Sequence, residues 1–191
     1  MRAEIGEFLS WLDPGDAGFW RFDWNLPRVL VFLSLAGGLF FSRGVFRGWL
    51  WFMDGTNLLI HEAGHPILGI FGSDFLQFAG GTIFELAFPL IFFFAGLRQG
   101  QRVASDFCLF WEGTALLHVG WYIADARAME LPLVGGGEHD WNYMLGRLGI
   151  LKHDILLGGI ADFAGCAFIA LAACGLYAHL TGKNNVELTM S

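Results

Sequence analysis

The chain has 191 residues, 55% of them hydrophobic and only 15% charged, with a formal charge of −7. Its mean hydropathy of +0.52 lies outside the range of water-soluble domains and points to the membrane class. The negative balance and the lack of a basic cluster argue against nucleic acid as a partner.

Residues 3–12 place Ile5, Phe8, Leu9 and Leu12 at helical spacing, the pattern of a short amphipathic helix lying on a bilayer surface. Trp20, Phe22 and Trp24 follow as an interfacial anchor. The expected spans then run over about 27–41, 50–71, 78–97, 103–124 and 155–180, separated by short turns and one long polar stretch, 125–153. The fold class that follows is all-α: a polytopic membrane helix bundle of about five transmembrane helices plus the N-terminal interfacial helix. It forms a single integral membrane domain over 1–191, with an interfacial segment at 1–26, a bundle at 27–181 and an unstructured tail at 182–191. Ala161 and Gly165, four apart, suit close helix packing in the last span. Cys108, Cys166 and Cys174 fall in apolar segments without paired spacing and read as packing thiols. The N-terminus lacks the basic-then-apolar order of a cleaved signal peptide.

Alternate turns fall on opposite sides of such a bundle. Arg43, Arg47, Arg98, Arg102 and Lys183 share one side; by the Lys and Arg count of the positive-inside rule the two sides are almost level, and the basic residues in its tight turns favour this one as cytoplasmic. His61, His65, Glu85, His118, Asp125, Asp162 and the His139-Asp140 pair gather toward the other, extracytoplasmic half. Ionisable groups at bilayer depth are costly and need partners, so their convergence marks a buried polar site. Glu112 lies deeper than the rest.

The centre of that site is His61-Glu62-Ala63-Gly64-His65. Residues four apart share a helix face, so His61 and His65 can present two imidazoles to one Zn²⁺. Glu62 stands beside the first ligand, where a carboxylate takes a proton from the water that the metal activates. Pro66 disfavours the helical conformation at His65. Two histidines do not complete a zinc site. Glu85, twenty residues beyond His65, is one candidate for the third ligand or for a group facing the site. The His139-Asp140 pair, next to a three-glycine run, is another. Asp125 and His118 are further candidates, as alternative ligands or as partners behind the ligands.

The His-Glu-x-Gly-His helix resembles that of intramembrane zinc metalloproteases of the site-2 protease type. The resemblance implies that His61 and His65 are zinc ligands and Glu62 the general base. That class completes its site with an aspartate in a Leu-Asp-Gly motif, and no such motif occurs here. A wider resemblance, covering most of the chain, is to a group of bacterial membrane proteins that combine His-Glu-x-Gly-His with three further motifs. Gly80-Gly81, Tyr-Ile-Ala-Asp-Ala-Arg at 122–127 and His-Asp-Trp-Asn-Tyr at 139–143 match these. In that group the position of Glu85 is often glutamine, which favours His139 and Asp140 over Glu85 as ligands.

The expected function is an intramembrane zinc-dependent peptidase, lodged in the lipid bilayer of a bacterial inner membrane and acting on a membrane-protein or peptide substrate. Glu62 would be its base, and His139 would stabilise the oxyanion. The alternative is a non-catalytic small subunit or scaffold whose partners are other subunits of a membrane complex, with the metal structural or absent. A diiron lipid hydroxylase needs several histidine pairs, and the remaining histidines form no second one.

Overall fold

The computed structural model describes residues 51–133 and 137–189, apart from the side chains of residue 51 and of 179–189. The interfacial helix and the first span expected over 27–41 lie outside the described residues. Within them the chain is helical, with no strand. Helix α1 runs over Trp51–Gly69, α2 over Asp74–Arg98 and α3 over Arg102–Ala124. A short α4 covers Asp140–Arg147, a 3₁₀ turn covers Leu151–His153, and α5 extends over Asp154–Thr189. Two differences from the sequence reading stand out. The long polar stretch contains α4, and helix α5 continues through residues 182–189, which were expected as an unstructured tail.

Among the described residues two stretches are long and apolar enough to cross a membrane, α2 and Leu151–Ala178. Many of their large side chains point outward, among them Ile91, Phe92, Ile160 and Phe163. The polar residues instead turn inward: Asn57, His61, Glu85, Glu112, Asp140 and Asp162 are all buried. This inside-out distribution is what a bundle facing lipid requires.

Turn chemistry sets the connections. Gly72, between α1 and α2, has φ +70°, a left-handed conformation that glycine adopts without a Cβ penalty. Ser73 then caps α2 by accepting from the Leu76 N–H at 3.5 Å.

Glycines bring the helices into backbone contact. A Cβ on Gly64 would run into the Gly80 carbonyl, and one on Gly80 would lie 2.5 Å from the Gly64 carbonyl oxygen. The α1–α2 crossing therefore sits inside the His-Glu-x-Gly-His segment itself. Helices α3 and α5 cross in the same manner, with Gly113 against Gly165 and Gly120 against Gly158. Each partner set is spaced by seven residues, and the numbers run in opposite directions, so the two helices are antiparallel. Small residues at such seams let backbones approach closely and gain dispersion contacts. Gly165 takes the seam position that its spacing suggested, and Ala161 packs beside the buried Val119, Ile123, Ala126 and Leu145.

Two alanine substitutions test this seam against intrinsic helix propensity. At Gly113 a Cβ would stand 2.5 Å from Ile169 Cγ1 and 2.8 Å from the Gly165 oxygen, whereas at Gly159 nothing lies within 4 Å. Overpacking costs about 1–3 kcal/mol and glycine-to-alanine in a helix gains up to about 1 kcal/mol. Thermal unfolding in detergent should therefore show Gly113→Ala destabilised and Gly159→Ala neutral or stabilised.

Candidate metal centre

His61 is buried on the inner face of α1, at the crossing with α2. A Cβ on Gly81 would collide with its ring, so the second glycine of the Gly80-Gly81 pair is what makes room for the imidazole. His61 Nδ1 lies 3.0 Å from Glu85 Oε2, and its Nε2 lies 2.9 Å from Asp140 Oδ2. One turn on, His65 Nδ1 is 2.9 Å from the Gln77 carbonyl oxygen, and its Nε2 is 3.4 Å from the same Asp140 oxygen. The two rings meet edge-on, with centroids 4.9 Å apart.

One donor atom each from His61, His65 and Asp140 lies within 4.8 Å of the other two, so the three residues can hold a metal ion. The chemistry of the set also fits. Two imidazoles and one carboxylate are the donor type of catalytic zinc sites, which leave a fourth position open. Ligands about 2.0–2.1 Å from a tetrahedral ion stand roughly 3.3 Å from one another, and the observed 2.9 and 3.4 Å bracket that spacing. Each histidine is also oriented from behind: a carbonyl or carboxylate accepts from Nδ1–H and turns Nε2 toward Asp140, where an ion would take the place of the shared hydrogen.

Asp140 reaches the histidines because two sequence motifs interlock. The 122–127 segment ends α3 and forms the dock, and 139–143 opens α4 and fits onto it. The Tyr122 hydroxyl oxygen accepts from the Asp140 N–H at 3.3 Å, and the Tyr122 ring stacks on His139 at a centroid distance of 4.2 Å. Asn142 Nδ2 donates to the Ala126 carbonyl at 2.7 Å, and Arg127 Nε donates to both Asp154 oxygens at 2.8 Å. From the other side Tyr143 stacks on Phe78 of α2, with centroids 4.2 Å apart. Burial alone would raise the Asp140 carboxyl, but hydrogen bonds from His61 and His65 outweigh it and hold the group below its ordinary value.

The other candidate residues take different places. Glu85, 1% exposed, faces the site from behind: besides His61 it bonds His118, whose Nδ1 is 2.7 Å from Glu85 Oε1. Its carboxylate thus meets the far nitrogen of His61, away from Asp140. Asp125 accepts from the Glu130 and Leu131 N–H groups, both at 3.1 Å. These bonds hold the turn in which Met129 adopts φ +50°. His139, which the sequence suggested as an oxyanion donor or ligand, is the N-cap of α4. Its Nδ1 accepts from the Asn142 N–H at 3.3 Å, and its Nε2 points to Asp125 Oδ2 at 3.4 Å. Burial lowers its basicity despite the neighbouring acids Asp125 and Asp140, which suits a neutral capping ring. Tyr122 is the residue that sequence reasoning missed. Its only signal was membership in the same motif as Asp125.

A cleft of about 210 Å³ opens beside the group, and His61, Glu62, His118 and Tyr122 form its polar wall. Glu62 is half-buried and lies about 100° round α1 from His61. It therefore faces the cleft rather than the three donors. Comparison with protein-family models, with curated proteins and with solved structures finds no match.

Partners that orient metal ligands from behind are worth about 10–100-fold in metal affinity. Competition with a chromogenic chelator should show a loss of that size for Glu85→Gln and for Gly81→Ala. Asp140→Ala should abolish stoichiometric binding.

Proposed function

We propose that the chain is an integral membrane zinc peptidase in which α1, α2, α3 and α5 cross the bilayer together with the apolar segment 27–41. The reading rests on one observation above the others. His61, one of the donor set of two imidazoles and a carboxylate, lines a cleft whose wall also carries a carboxylate, Glu62, that is not itself one of the donors. Such a division of labour suits hydrolysis, which needs a metal held firmly and a base left free to move protons.

A bound Zn²⁺ supplies a Lewis acid for the scissile carbonyl and lowers the pKa of water to near neutrality. The remaining chemistry belongs to the protein. Glu62 takes the proton from the attacking water and delivers it to the departing amine. Glu85 keeps His61 in the tautomer that ligation demands. The interlocked 122–127 and 139–143 segments hold Asp140 against both histidines, and the outward apolar side chains of α2 and α5 set this apparatus within lipid. The gathering of Arg98 and Arg102 at the opposite end of the bundle favours an extracytoplasmic position for the site.

Glu62→Gln keeps the shape of the wall and removes the base. Purified protein carrying it should bind zinc as the parent does, while cleavage of a fluorogenic apolar peptide in detergent falls about 100- to 10,000-fold. His61→Ala should lose zinc and cleavage together. Full hydrolysis by the Glu62→Gln protein would contradict the mechanism.

A further inference from the structure

The cleft beside the metal group has a composition that specifies what it takes. We infer that it seats one bulky apolar side chain of an amide substrate, and that His118 accepts the hydrogen of that substrate's N–H. This assignment rests on the peptidase reading of the site.

Leu58, Trp121, Leu131, Pro132 and Leu133 make up the apolar walls, and among the described residues no lysine or arginine lines the cleft. A charged substrate group entering here would lose its water against these walls. Among the described wall residues the carboxylate is that of Glu62, which the peptidase reading already assigns to proton transfer. The volume of about 210 Å³ falls below the ~300 Å³ at which pockets begin to take drug-sized molecules. One large side chain with its adjoining backbone matches that size better than a lipid tail. The wall is also set in advance. Asp125 fixes the Glu130 and Leu131 N–H groups, both at 3.1 Å, directly before Pro132, so little ordering remains to oppose binding.

The polar edge adds a second requirement. The two Glu85 oxygens meet His61 Nδ1 at 3.0 Å and His118 Nδ1 at 2.7 Å, and a carboxylate oxygen accepts the hydrogen of a ring N–H. In that arrangement both Nδ1 atoms carry hydrogens. With Nδ1 turned to Glu85, each ring presents Nε2 on its other side: His61 toward Asp140, and His118 as the acceptor assigned to the cleft. Among the described residues His118 Nε2 has no hydrogen-bond partner. A substrate amide supplies the missing donor. An ester leaves the acceptor unsatisfied, and sites built around a hydrogen bond discriminate against ligands that lack it.

The test uses the zinc-loaded full chain in detergent and three chelating probes, followed by calorimetry. Acetohydroxamate reports the metal alone. N-acetylphenylalanine hydroxamate adds the apolar arm and an amide N–H, and the O-acetyl phenyllactic hydroxamate replaces that N–H with an ester oxygen. The amide probe should bind at least about tenfold more tightly than acetohydroxamate, and about tenfold more tightly than its ester analogue. Leu133→Trp should shrink the first ratio and His118→Ala should abolish the second. These ratios separate the assignment from any general loss of zinc or of fold. Equal affinities for the three probes on zinc-loaded protein would overturn the assignment and leave the metal site standing. Failure to load zinc at all would overturn the peptidase reading and the assignment with it.

Discussion

Everything in this bundle depends on one carboxylate, that of Asp140, arriving between two imidazoles that belong to a different helix. His61 and His65 share a face of α1 by helical geometry alone, but their partner is 75 residues beyond His65 in the chain. Ionisable groups placed away from water are expensive unless each finds a counterpart. The fold meets that demand by interlocking two segments at one end of the bundle. Tyr122, Ala126 and Arg127 take hold of Asp140, Asn142 and Asp154, and His139 and Asp125 face each other within the same joint. Without that joint the histidines would be two polar side chains stranded in an apolar helix.

Close helix contact is the second requirement, and it is met by the absence of side chains. At Gly64 and Gly80 two backbones approach within the reach of a single Cβ, and at Gly81 the space so gained is filled by the His61 ring. The three-donor group and the helix crossing are therefore one structural event. Glu85, a turn further along α2 from Gly81, reaches the back of the same ring. The crossing that sets the distance between α1 and α2 also sets the orientation of the ligand.

Much of the centre could be read from residue spacing, because a helix maps short separations onto geometry in a fixed way. That is why His61 and His65 could be paired and why Glu85 could be placed at their depth from the turn at Gly72. The third donor could only be narrowed to a few candidates, since no local rule says how a glycine-bearing stretch returns to a bundle. His139 shows the limit well: a histidine beside an aspartate in such a stretch is equally suited to ligation and to capping, and the difference lies in a helix, α4, too short to announce itself by periodicity. Asp125 posed the same ambiguity, and its carboxylate faces backbone N–H groups that no spacing argument would have found. Tyr122 escaped notice because nothing in its local sequence separates a packing aromatic from one that holds a ligand.

The account is tested most directly by X-ray absorption at the zinc edge on the purified, zinc-loaded chain, with the Asp140→Asn and Glu85→Gln proteins beside it. Two imidazole nitrogens and one carboxylate oxygen at about 2.0–2.2 Å are predicted for the parent. The carboxylate contribution should be altered by Asp140→Asn and kept in Glu85→Gln. A first shell without imidazole, or one whose carboxylate signal follows Glu85 instead of Asp140, would contradict it.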